Sequence, residues 1–323
     1  MAFSLISTLK PSLLKLSYPL LVGEKSNVDT WSQRTLFTSS GIFLLKERRP
    51  ASIWIIGIRS KKAAKPAEKV SYLSPVKTTK SGFGFGTTFE YQDDVILGIG
   101  QDSFLERIET NSTASTRQKS QEGNYWDTFI NLSFDYDKRN QKFQTSDGFR
   151  SFYSLGLPII SENNSLLNTY VFSFYDELYQ DNVTKFSFYG KSANSLTNDD
   201  VKLSERIFIP SSRLRGFEFG KIGPKDGGDF IGGNFATAIN VSSTVPQILR
   251  NAQNIDVSMF IDAANVWGVD YDSSLDDTNK IRSSIGIGVD WFTLVGPLSI
   301  SLAHPISKAD SDVTETFKFN LGT

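Results

Sequence analysis

The chain has no cysteine, one histidine and two methionines among its 323 residues. Without cysteine there is neither a disulfide framework nor a thiolate metal site. The only histidine is His304, followed directly by Pro305, so a multi-histidine metal centre cannot be built. A histidine-based triad would have to use that residue, and no nucleophile motif lies near it; no enzymatic activity, cofactor or metal is expected. Charge of either sign is not in excess: 34 Lys and Arg face 35 Asp and Glu, a net charge of -1. That balance removes the electrostatic reason to expect nucleic acid as a partner. No run approaches the roughly 20 unbroken apolar residues of a membrane-spanning helix. A span built from strands would show no such run and stays open. A secretory leader is not legible, because the apolar patches of residues 1–23 are broken by Lys10, Pro11 and Lys15.

Aromatic residues are abundant instead: 25 Phe, 11 Tyr and 5 Trp. From Ser81 onward they are spaced regularly. Gly82-Phe83-Gly84-Phe85-Gly86 alternates glycine with aromatics, and Phe89 and Tyr91 keep the period. Val95–Glu109 reads as the next strand, then Tyr125–Tyr136, Phe143–Ile160, Leu167–Tyr179 and Lys185–Leu196. Beyond an interruption come Phe230–Ser243, Ile255–Val269, Ile281–Thr293, Gly296–Ile306 and Thr314 to the end, eleven strands in all. A period of two gives each segment one apolar and one polar face. Strands of about ten residues, joined in turn by short and long polar connections, are the pattern of an antiparallel transmembrane β-barrel. A β-sandwich or a closed soluble barrel also alternates. Long strands and aromatics at strand ends (Tyr125-Trp126, Trp267 with Tyr271, Trp291-Phe292) favour the membrane reading. An odd strand count does not suit a single-chain bacterial barrel. Further strands are therefore expected upstream, where residues 1–78 read poorly; Ile53–Ile58 has strand composition but sits between basic segments.

The regular text breaks once, over residues 204–228, in a loop carrying charges, prolines and glycines. An interruption that long is usually functional. It holds Arg213-Leu214-Arg215-Gly216-Phe217, and a glycine-rich run follows to Asn234. A second, acidic loop with Asp270, Asp272, Asp276 and Asp277 reads as solvated surface.

In this order and spacing, residues 79–323 resemble the C-terminal barrel of the bacterial surface antigen (BamA/TamA) superfamily. Leu214-Arg215-Gly216-Phe217 is similar to the tip of the family's sixth loop, which folds back into the lumen. Gly232-Gly233-Asn234 is similar to the opening of the strand after it. Phe260-Ile261-Asp262-Ala263-Ala264-Asn265-Val266-Trp267 resembles the family's F-x-D-x-G-x-V-W strand, with Ala264 where glycine is usual. Gly286–Trp291 followed by Gly296-Pro297-Leu298 resembles its penultimate hairpin, and Phe317, Phe319 and Leu321 its terminal β-signal.

The resemblance implies an all-β, sixteen-stranded barrel with about five strands missing or unreadable at the N-terminal side. It implies POTRA domains that this sequence does not contain, so the chain is expected to be a piece of a longer protein. It further implies a non-enzymatic assembly machine of the Gram-negative outer membrane, which inserts and folds outer-membrane proteins by adding client strands at a weak barrel seam. Its partners would be outer-membrane lipids, unfolded outer-membrane protein clients and periplasmic assembly lipoproteins. The alternatives are a translocation pore of the same superfamily (TamA, mitochondrial sorting-and-assembly or two-partner-secretion type) and a passive porin-like barrel. Within the resemblance, Arg215 is expected to pair with Asp262 on the lumen wall, Gly216 to permit a sharp turn and Phe217 to pack inside. Ser242 stands where a second acidic wall residue is common in the family. The plain alternatives are a solvated Arg215 and, for Phe317, Phe319 and Leu321, the ordinary lipid face of a final strand.

Overall fold

The computed structural model describes residues 53–57, 76–142, 144–162, 164–179, 182–245, 254–276, 280–293 and 296–321, with side chains from residue 76 onward except at 297 and 321. In chain order the elements are β1 (Ile53–Gly57), β2 (Val76–Gln92), β3 (Val95–Thr110), the single-turn helix α1 (Thr116–Lys119), β4 (Gly123–Asp137), β5 (Gly148–Ile160), β6 (Ser165–Tyr179) and β7 (Asn182–Ser195). A small hairpin, β8 (Lys225–Asp226) and β9 (Asp229–Phe230), interrupts them. Then come β10 (Phe235–Thr244), β11 (Ile255–Trp267), β12 (Arg282–Thr293), β13 (Gly296–Ser307) and β14 (Phe317–Leu321). Apart from the hairpin, the strands form one 12-stranded antiparallel sheet in chain order, with β7 joined to β10. Among the described residues the sheet runs open from β1 to β14.

The period of two sorts the side chains onto two unlike faces. On the outer face the registers line up Val241, Ile261 and Ile285, and beside them Met259, Ile287, Leu302 and Phe317. These side chains are between 39% and 55% exposed, and the band continues through Phe174, Phe134, Ile99 and Phe85 to β2. A soluble monomer seldom exposes an apolar patch beyond a few hundred Å². An apolar skin around a whole antiparallel wall is what lipid chains cover, and the soluble sandwich reading falls away. The inner face is mostly polar or small, with buried exceptions such as Phe129, Tyr189 and Phe260.

Several boundaries shift, each for a local reason. β10 starts at Phe235 rather than Phe230, because Gly232 takes φ +69° and Gly233 lies so close to the Trp267 backbone that a Cβ would stand 2.3 Å from its carbonyl oxygen. β5 starts at Gly148, where φ is +97° and a Cβ would meet the Lys138 carbonyl oxygen at 2.1 Å; Phe143 lies outside the described residues. The connection at 161–164 is short, although it lies on the same side of the sheet as the longer ones. Of the aromatics expected at strand ends, Trp126 and Trp291 face outward at 45% and 44% exposure, and Trp267 stacks on Phe235 at 5.8 Å between centroids. Tyr125 has the opposite parity and turns inward, its hydroxyl donating to the Gln121 carbonyl at 2.9 Å. Tyr271 belongs to the loops, where its hydroxyl meets Asp226 at 3.2 Å.

Candidate functional site

The connection between β7 and β10, residues 196–234, folds back against the inner wall. Its Val201, Ile207, Ile209, Leu214, Phe217 and Ile222 are buried against Ala193, Ala236, Ala238, Ala264 and Val266 of β7, β10 and β11. Small wall residues leave a bay that the larger loop residues fill. Ala264, at the position where the family pattern has glycine, is part of that bay and is 3% exposed. Burying each large apolar side chain contributes about 1.5–3 kcal/mol, so the packing holds the loop inside.

Arg215 is held at the loop tip by β11. Its Nε donates to Asp262 Oδ2 at 2.8 Å, its Nη2 to Oδ1 at 2.7 Å and its backbone amide to Oδ2 at 3.0 Å. Asn240, cross-strand from Asp262, donates from Nδ2 to Oδ1 at 2.9 Å and to the Arg213 carbonyl at 2.7 Å. Asp262 is fully buried, and a lone buried carboxylate would cost several kcal/mol. A two-pronged guanidinium with two further donors removes that cost. The guanidinium also lies 3.3 Å from the centre of the Phe260 ring. That ring lies over Gly286 of β12, where a Cβ would come within 2.5 Å of it. Gly216 has φ +90°, and a Cβ there would sit 3.1 Å from Ala303 and 3.3 Å from Ser284. Ser284 Oγ donates to the Arg215 carbonyl at 2.5 Å, and Phe217 is 2% exposed. Ser242 pairs with Phe260 in the register, so the polar wall neighbour of Asp262 is Asn240 instead.

Three further ionic groups escaped the sequence reading. At the loop root, Lys202 reaches Asp127 at 2.5 Å, Glu106 at 3.4 Å and Glu205 at 3.6 Å, with every one of these side chains at most 4% exposed. Lys80 adds a second ammonium 3.0 Å from Glu106, and Ser204 and Ser161 donate to Glu106 and Asp127 at 3.0 and 2.6 Å. Burial pushes the Glu205 carboxyl above its ordinary range despite the opposing pull of Lys202. Arg206 pairs with Asp270, which also accepts the Val201 amide at 2.6 Å. Burial alone would raise the Asp270 carboxyl; the Val201 amide and Arg206 outweigh it and hold it low. Arg282 of β12 donates to both oxygens of Asp312 at 2.9 and 3.1 Å, with both residues buried. Glu106 and Asp127 did carry a signal, since ionisable residues inside membrane strands are rarely idle.

The other singled-out residues lie apart from this network. Phe317 and Phe319 point outward at 55% and 52% exposure, with Lys318 between them turned inward. Leu321 pairs with Leu298 through the backbone. In the acidic loop, Asp272 caps the Ser273–Leu275 turn and Asp276 accepts the Gly268 amide at 2.8 Å, while Asp277 lies outside the described residues. No group of three or more potential metal ligands occurs among the described residues. Ser115 and Gln118 cap α1 reciprocally, a Ser-x-x-Gln signature that the sequence reading passed over.

Comparison with known proteins agrees with this architecture. The model of the Omp85 superfamily domain matches residues 40–323. Outer membrane protein assembly factor BamA of Neisseria meningitidis serogroup B is 31% identical over 34% of this chain and 17% of that protein. The protein of the same name from Neorickettsia risticii is 29% identical over 38% of this chain and 16% of that protein. The matched stretch is thus about a sixth of the length of these relatives. The crystal structure of BamA from Haemophilus ducreyi lacking POTRA domains 1–3 shares the fold, with a TM-score of 0.68 and 24% identity, over 76% of this chain and 54% of that one. With a family match over most of its length, an apolar outer skin and an antiparallel wall, the chain belongs to the Omp85 superfamily and is an outer-membrane β-barrel protein.

Proposed function

We propose that the chain is the barrel part of a BamA-like assembly factor, which inserts and folds outer-membrane proteins without catalytic groups. The observation that supports this most is the loop fastened inside the wall by Arg215–Asp262 and by the Lys202 cluster. A water-filled diffusion channel keeps its lumen largely open, whereas this loop packs an apolar face and two buried ionic anchors against the inner wall. The names of the relatives point in the same direction. In this reading β14, five residues long and bonded only to β13 among the described residues, belongs to the seam. Unpaired backbone groups in hydrocarbon cost several kcal/mol each, so an incoming client strand lowers the free energy of that edge by pairing with it. The partners are outer-membrane lipids around the outer face, unfolded outer-membrane clients at the edge and periplasmic assembly lipoproteins.

The test is reconstitution of the full-length protein in liposomes with a urea-unfolded client barrel. Faster appearance of protease-resistant, folded client than in protein-free liposomes is expected. An unchanged rate would overturn the assembly reading, and client found inside the vesicle without insertion would favour a translocation pore. The chain alone is expected to leave the client at the protein-free rate.

A further inference from the structure

β14 is much shorter than the strand it pairs with. β13 runs from Gly296 to Ser307, yet β14 accompanies it only from Leu298 to Leu302. One more bond follows: the Ala303 amide donates to the Thr316 carbonyl at 2.9 Å. Backbone donors alternate sides along a strand, so the next β13 nitrogen directed towards β14 is that of Pro305. Proline has no hydrogen to give, and the ladder stops there.

The residues that would have continued the ladder turn inward onto the loop tip. Around the isolated bridge Phe217–Thr314, the Glu218 amide donates to the Val313 carbonyl at 3.0 Å and the Glu315 amide to the Gly216 carbonyl at 3.1 Å. The Val313 amide donates to the Lys221 carbonyl at 3.1 Å. The approach to this segment is pinned as well, because Asp312 is gripped by Arg282 and accepts the Ala309 amide at 2.6 Å. On the other side, the loop tip rests on β12 and β13 through Ser284 and Ala303, where a Cβ at 216 would crowd both residues.

We propose that the loop tip is the template that sets where β14 begins: residues 216–221 pair with Val313–Glu315, and the Arg215–Asp262 pair fixes β14 by fixing the tip. The proposal deepens the assembly reading, since β14 is the edge a client strand would join. The pairing itself does not depend on what the protein assembles. Phe217 and Thr314 are positioning residues, and neither touches a client. Freeing the tip leaves the amides of Val313, Glu315 and Glu218 without acceptors and lets the register and length of β14 drift.

The absence of cysteine from this chain makes a disulfide within it a clean reporter, once any cysteine elsewhere in the full-length protein is replaced. Phe217–Thr314 is a pair of the non-hydrogen-bonded kind, with Cα atoms about 4.5 Å apart, within the range a disulfide spans. In the full-length protein in membranes, Phe217→Cys with Thr314→Cys should cross-link on mild oxidation, and Phe217→Cys with Asp310→Cys should not. Hydrogen exchange then tests the coupling. In Arg215→Ala, residues 313–319 should exchange at least tenfold faster, Arg215→Lys should be intermediate, and β4–β6 should be unchanged. Glu315→Pro, which removes one bridge donor and leaves Arg215–Asp262 alone, should speed exchange at both 216–221 and 313–319. It carries the test if Arg215→Ala does not fold. A missing cross-link, or unchanged exchange at 313–319 while the tip has loosened, overturns the proposal. Client insertion by the same variants is scored separately: failure there with the pairing intact counts against the assembly reading and not against the template.

Discussion

Truncating Asp262 to alanine should release the loop tip to a calculable extent. The side chain is fully buried and collects two guanidinium bonds, the Arg215 amide and Asn240. Removing one partner of a buried pair costs about 3–5 kcal/mol. The Arg215 side chain is 19% exposed and can swing its charge towards lumen water, which places the loss near the lower end, about 3 kcal/mol. Each 1.4 kcal/mol is a factor of ten, so the open population of the tip rises about 100-fold. Arg213 and Lys221 are trypsin sites within the tip, and cleavage follows the open population when opening is faster than cutting. Cleavage at these two sites should therefore be about 100-fold faster in Asp262→Ala, and about tenfold faster in Asp262→Asn, which keeps the shape and an acceptor oxygen. In the double-mutant cycle with Arg215→Ala, the two effects should fall short of additivity by about 1–3 kcal/mol. Cleavage within threefold of the parent protein, or simple additivity, would refute the claim that this pair holds the tip.

Gly216→Ala places a Cβ at φ +90°, 3.1 Å from Ala303, and should cost about 1–2 kcal/mol, read as roughly tenfold faster tip cleavage. Lys202→Met leaves Glu106, Asp127 and Glu205 buried, with the Lys80 ammonium beside Glu106 as the one remaining ion-pair partner of the three among the described residues, so the urea midpoint should fall by the equivalent of about 3–5 kcal/mol; adding Asp127→Asn should recover part of it. Burial raises the folded-state carboxyl of Glu205 above its ordinary 4.5, so its contribution to loop-root stability is complete below that value and is lost as pH rises through the raised one. Protection at residues 201–206, taken relative to the intrinsic rise of amide exchange with pH, should fall across that window in the parent and stay flat in Glu205→Gln; a fall that survives the substitution would place the titrating group elsewhere.

The wall was legible because a strand facing lipid on one side must alternate, and Ile239, Val241, Met259, Ile261, Ile285 and Ile287 do so without a break. The tip was legible through a family pattern around Arg215 and Asp262. The anchoring at the root was not, because Lys202 sits in irregular text and its partners Glu106 and Asp127 lie in strands far upstream; no local period announces a contact between them. That the β13–β14 ladder ends beside Ala303 could have been read from Pro305, since a strand cannot donate from that nitrogen. The direction in which the freed residues turn depends on the loop tip, which only the folded wall brings near.

The loop ties together parts of the chain made at very different times. Ser204 and Glu106 are 98 positions apart, Lys202 and Asp127 75, Ser284 and Arg215 69. Contacts of such span form late, after the entropy of closing long loops has been overcome. The final fastening must therefore wait until strands on both sides of the loop are in place, and until then residues 196–234 are a tether without a seat. In a cell, that interval is when proteases find the chain. Weakening an anchor should thus lower the amount of mature barrel before it alters what each surviving molecule can do.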